Sequence, residues 1–174
     1  MPFSLYDAVV PTWRQILPAV LGVIDKAEAH CRDLGTAPSE LIEARLAPDM
    51  WDFATQVRTV AAHSGGALDG VRAGVFAPSF DPPPADFAGL RALLQAALAK
   101  VEAAGRDELD SRVGAETLFR FPGHEMRFTT EDFLTSFSLP NFYFHASAAY
   151  AILRMKGVPI GKLDFLGQIR ARPA

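Results

Sequence analysis

Residues 129–157 read TTEDFLTSFSLPNFYFHASAAYAILRMKG and form the last long helix of the chain. Thr129 with Asp132 opens it, and Gly157 followed by Val158-Pro159 closes it. At about 100° per residue, Leu134, Ala148 and Ile152 share one side, so the helix has an apolar stripe to bury. Pro140 lies inside and deprives the Ser136 carbonyl of its N–H partner. Such a stripe needs other helices against it.

The preceding sequence supplies them. Ser4 with Asp7 resembles a capping box, and Val9, Trp13, Ile16, Val20, Val23, Ile24 and Ala27 then recur at helical spacing up to a stop at Gly35. Pro11 and Pro18 lie within this first helix, where each removes a hydrogen bond and predicts a bend or an uneven start. A short helical turn follows around Ser39 to Leu46. Pro48-Asp49 reads as the start of the second long helix, with Asp49 as N-cap and Met50, Phe53, Val57, Val60, Ser64 and Leu68 as its face. Gly65 and Gly66 sit inside it at a cost of roughly 1 kcal/mol each, which close approach by another backbone would offset. The proline-rich run 76–84, FAPSFDPPP, cannot continue a helix. Asp86 then caps a third long helix, whose Phe87, Leu90, Leu94, Leu98 and Val101 face inward up to Gly105. TLFRF and EMRF flank Pro122-Gly123 and predict a small β-hairpin, a decoration rather than a sheet.

The expected fold is therefore all-α: one antiparallel four-helix bundle over residues 1–174, with a small β-hairpin before the last long helix. Half of the residues are apolar (49%) and 21% are charged, so a substantial core is available. A formal net charge of −3 and a basic cluster limited to Lys162, Arg170 and Arg172 argue against nucleic acid as a partner. Charges at Asp7, Arg14 and Asp25 exclude a signal peptide or membrane span from the apolar N-terminus. Cys31 is the single cysteine, so no intramolecular disulfide forms. These features predict a cytoplasmic protein. The apolar tail (Val158, Ile160, Leu163, Phe165, Leu166) is expected to cover either its own bundle or a second copy, and with 13 phenylalanines it suggests a homodimer.

Chemistry concentrates on two helices. Asn141 and His145, four residues apart, fall in the buried arc of the last helix, and His63 flanks the apolar stripe of the second. Two readings stay open: hydrogen-bonded core groups holding helices in register, or a ligand or metal site built between helices. His30-Cys31 and His63-Ser64 are adjacent pairs that point about 100° apart, so neither makes a nucleophile–base pair. The helix surface is the expected place for His30 and Cys31, and a solvated turn for His124. Gly65-Gly66 follows no strand and is no phosphate loop.

PNFYFH at 140–145, with AYAILR at 149–154, SLYD at 4–7, KAEAH at 26–30, APDM at 47–50 and GVP at 157–159, resembles an uncharacterised bacterial domain-of-unknown-function family within the DinB/YfiT-like metalloenzyme superfamily. The resemblance covers essentially the whole chain. It implies a four-helix bundle with three metal-binding histidines, one on the second helix and an H-x-x-x-H pair on the last. His63 matches the lone histidine and His145 the second of the pair, while Asn141 stands where the first would be. The implied site is thus His63, Asn141 and His145, holding a divalent metal (zinc or nickel) weakly. Two functions follow. One is a weak divalent-metal-dependent hydrolase or thiol-dependent transferase; the other is a metal-free helical protein that binds a small molecule or a partner without catalysis.

Overall fold

The computed structural model describes residues 4–171, so Arg172 of the basic cluster lies outside the described residues. Helix α1 (Leu5–Leu34) starts where the Ser4 hydroxyl accepts the Asp7 N–H at 3.2 Å, and Gly35 ends it. It is one continuous element through both Pro11 and Pro18. After the short α2 (Ser39–Ile42), the second long run comprises α3 (Phe53–Ala61), a π-helical turn (Ala62–Gly66) and α4 (Ala67–Ala73). Helix α5 (Phe87–Glu102) follows, capped by Asp86 as its residue type predicts, and then the short α6 (Arg106–Asp110). The last run consists of α7 (Thr130–Asp132), a π-helical stretch (Phe133–Ser138) and α8 (Leu139–Met155).

The N-cap of the second run is Asp52, not Asp49: its carboxylate accepts the Thr55 N–H at 2.8 Å. Both aspartates are suitable by type. Arg45 decides between them by binding Asp52 and the Met50 carbonyl, which holds residues 45–52 as a turn. Met50 therefore lies outside the helix, and the exposed Trp51 is turned toward the site described below.

Helix α1 packs on α5 and α8, and α3 packs on the same two helices. One continuous apolar cluster includes Trp13, Phe53, Phe133 and Phe142, all fully buried; removing a side chain of that size from water stabilises by roughly 1.5–3 kcal/mol. Gly65 allows α5 to come in closely, since a Cβ there would stand 2.7 Å from Ala97 Cα. Cys31 belongs to this cluster at 3% exposure rather than to the surface, because it continues the inward face of Val20, Ile24 and Ala27.

The expectation of an all-α chain with an isolated decoration needs correction. Strands β1 (Val75–Phe76), β2 (Glu116–Phe121) and β3 (His124–Thr129) form a three-stranded sheet in the order β1-β2-β3. Strands β2 and β3 are antiparallel, from Glu116↔Thr129 to Phe121↔His124, while β1 pairs parallel with β2 through Val75↔Leu118 and Phe76↔Phe119. A strand of two residues is too short to show alternation, so the sequence carries no trace of it.

The tail packs on its own chain. Val158 and Ile160 are buried, α9 (Lys162–Leu166) lies on α1, and the Gln15 amide donates to the Leu166 carbonyl at 2.9 Å. No helix among the described residues is long and apolar enough to cross a membrane.

Candidate functional site

The two π-helical turns meet where Ser138, the last residue of one, hydrogen-bonds to His63 of the other. In an α-helix His63 would follow the regular register, but here its backbone departs to φ −86°, ψ 16°. Such turns redirect side chains and recur at functional sites. On the last helix, Pro140 cannot donate to the Ser136 carbonyl, and the π-helical stretch ends just before it. The Asn141 amide donates to the Phe137 carbonyl at 2.7 Å, four residues back.

His63 and His145 are each only 6% exposed, and their rings lie nearly parallel with centroids 6.3 Å apart. The Nδ1 atoms have separate partners. His63 Nδ1 lies 3.3 Å from Ser138 Oγ on the last run, and His145 Nδ1 lies 2.6 Å from Gln56 Oε1 on α3. Gln56 stands seven residues before His63, and Ser138 seven before His145. The crossed pairing therefore requires α3 and α8 to run in opposite directions.

This network favours one tautomer for each ring. The Gln56 amide nitrogen donates to the Trp51 carbonyl at 3.1 Å, which leaves Oε1 as the acceptor beside His145. Ser138 spends its single hydroxyl proton on the His63 carbonyl at 3.1 Å, so its oxygen accepts from His63. Each imidazole consequently carries its proton on Nδ1 and a bare lone pair on Nε2. Burial lowers the His63 pKa to about 3, with the nearby His145 charge adding to the effect, and burial alone lowers that of His145 to about 4. Both rings are neutral at physiological pH.

Both rings border a cavity of about 210 Å³. Its walls are chiefly aromatic, from Trp51, Phe80, Phe119, Phe121 and Phe137, with Asn141 and Arg58 as further polar groups. Trp51 stacks on His145 at 5.4 Å. The half-buried Arg58 donates to the Asp81 carbonyl in the proline-rich connection and has no carboxylate partner among the described residues. A second cleft, lined by Met50, Gln56 and Phe144 among others, opens beside Trp51 and His145.

The three residues singled out in the sequence thus line one cavity, but Asn141 is committed to backbone and makes no hydrogen bond to either ring. Sequence reasoning missed Gln56 and Ser138. A signal existed, since a polar residue seven positions before each histidine shares its helical face. The aromatic walls from the sheet had none. His124 is exposed, and His30 is half-buried beside the core Cys31.

A family described as Domain of unknown function (DUF1993) matches residues 5–166. The crystal structure of a DinB family member protein from Shewanella denitrificans is similar over 98% of this chain and 96% of that one, at 27% identity and a TM-score of 0.79. No curated protein matches the chain. With the match running from α1 to the end of α9, the chain belongs to the DUF1993 family, and its fold is DinB-like.

Proposed function

We propose that this DinB-like protein is a metal-free binder of a small aromatic molecule, built as one antiparallel four-helix bundle with a β-hairpin at the cavity's edge. The observation that carries the reading is the aromatic-walled cavity with two neutral imidazoles whose free nitrogens only accept. Such a cavity suits a ring bearing a hydrogen-bond donor. A cavity of about 150 Å³ holds a benzene, so about 210 Å³ suits one ring with small substituents.

The superfamily's metal fits this residue set incompletely. His63 and His145 have the Nδ1–H partners typical of metal-ligating histidines. The third member does not fit: Asn141 is tied to Phe137 O, and its remaining oxygen is that of a neutral amide. No group of three His, Cys, Asp or Glu side chains able to hold a metal occurs among the described residues. Homodimer formation is a further part of the proposal, supported by Tyr143 and Phe144 on α8, which are 40% and 59% exposed; sedimentation of the purified protein tests it.

The test is p-cresol binding followed by Trp51 fluorescence, with Trp51→Phe as the signal control. Binding should survive chelator treatment and weaken about tenfold in His145→Phe, which keeps a ring but removes the acceptor. Calorimetry with zinc on the parent should show weak binding or none, and Asn141→His should tighten it in a manner that depends on His63. Stoichiometric tight zinc in the parent would instead support the metal-dependent hydrolase or transferase.

A further inference from the structure

The cavity's polar groups stand at different depths. His63 and His145 are buried and present acceptors, while Arg58 is half-buried where α3 meets the proline-rich connection. A guanidinium has five N–H donors. Here the hydrogen-bond partner is one backbone carbonyl, that of Asp81, and no carboxylate among the described residues neutralises the charge. Arg72, Arg91 and Arg106 are paired with carboxylates, whereas Arg14, Arg112 and Arg154, like Arg58, bond to a backbone carbonyl; of these four only Arg58 lines the cavity. A guanidinium without a carboxylate partner, on the wall of a largely aromatic cavity, is suited to an anion, since it matches a carboxylate with two parallel hydrogen bonds.

The two ends differ in kind. The buried end accepts hydrogen bonds and has no fixed charge; the outer end donates and is positive. The lining also includes Trp51, Phe119 and Phe137, which favour a flat apolar body. A neutral phenol satisfies the first end and leaves Arg58 unmatched. A simple aryl carboxylate does the reverse.

Building on the small-molecule reading above, we propose that the ligands of this cavity are one-ring aromatic acids carrying a hydroxyl or amino donor, with the carboxylate on Arg58 and the donor on the imidazole nitrogens of His63 and His145. Size agrees, because one ring with two small substituents is what the cavity holds.

Titrations with 4-hydroxybenzoate, p-cresol and benzoate, read by Trp51 fluorescence in parent and Arg58→Gln protein, test the assignment. In the parent, 4-hydroxybenzoate should bind about tenfold tighter than p-cresol, one charge-assisted pair being worth roughly that factor. It should also exceed benzoate, and raised salt should erode its advantage over p-cresol. Arg58→Gln should abolish that advantage, and measurable p-cresol binding in the same variant reports that the cavity still forms. Arg58→Lys should retain part of the advantage. Equal affinity for 4-hydroxybenzoate and p-cresol, or a preference that survives Arg58→Gln, overturns the anion site while leaving the small-molecule reading standing. Benzoate binding as tightly as 4-hydroxybenzoate overturns the role given to the imidazoles. Failure of all three probes to bind overturns both readings.

Discussion

His63 and His145 illustrate how a hydrogen bond on one side of a ring sets what the other side can do. Gln56 and Ser138 accept from Nδ1, so both Nε2 atoms are lone-pair acceptors, suited to a donor or a cation and unable to donate. The same burial has a cost in acid. The folded pKa values of about 3 and about 4 lie below the ordinary 6.5, to which unfolding returns them. Below 6.5 the unfolded chain then binds more protons than the native one, so stability is fully present above that pH and is lost as pH falls through the folded values. The slope is up to ~1.4 kcal/mol per pH unit for each ring. Asp7 and Glu108, whose arginine partners hold their carboxyls below 3.8 and 4.5, act only at lower pH. Urea midpoints should therefore drop between about pH 6.5 and 5, and a His63→Gln/His145→Gln double variant should flatten the profile. A parent profile already flat over that window would mean that the rings are not held neutral.

The two π-helical turns are the least regular parts of the helices and the parts that carry the site. In the second run, the turn coincides with paired glycines whose roles differ. A Cβ on Gly65 would meet Ala97 backbone at 2.7 and 2.8 Å, whereas one on Gly66 finds nothing nearer than 3.7 Å. Gly65→Ala should accordingly cost about 1–3 kcal/mol through overpacking against α5. Gly66→Ala should be neutral or stabilise by up to ~1 kcal/mol through helix propensity. Chemical denaturation of the two variants checks this, and equal losses at both sites would show that close helix approach is not what Gly65 provides. In the last run, Pro140 removes one ladder bond and Asn141 takes up the neighbouring Phe137 carbonyl with its side chain. The Asn141 position therefore has a structural duty that a histidine would not inherit unchanged.

Over the molecule as a whole, the small sheet completes what the helices leave open. Phe76 on β1 lies within 5.2 Å of the His63 ring, 5.4 Å of Phe133 and 6.1 Å of Phe119, so it joins sheet, last helix and site. Gly70 makes room for it: a Cβ there would stand 2.8 Å from Phe76 Cβ. Truncating this 4%-exposed side chain by Phe76→Ala should cost about 3–5 kcal/mol. For a chain of this length that lowers Tm by on the order of 10 °C. Affinity for p-cresol should fall as well, because His63 loses the ring that backs it. An unchanged affinity at reduced Tm would mean that the cavity does not depend on the sheet.

The helices were legible because their determinants are local. Ser4, Asp86 and Thr129 cap where their side chains can reach an N–H three residues on, and the apolar stripes repeat at the helical period. His145 was legible as an inward polar group, and His63 as one flanking the apolar stripe, for the same reason. Asp49 and Asp52 were not distinguishable, since both are good caps and Arg45 chooses between them through the fold of a turn. Strand β1, the partners Gln56 and Ser138, and the lone guanidinium of Arg58 in the cavity arise from contacts between segments distant in the chain. Periodicity and capping report which way a side chain leaves its own helix; which atom it meets, which proton it keeps and what shape of space it encloses depend on elements that touch only after folding.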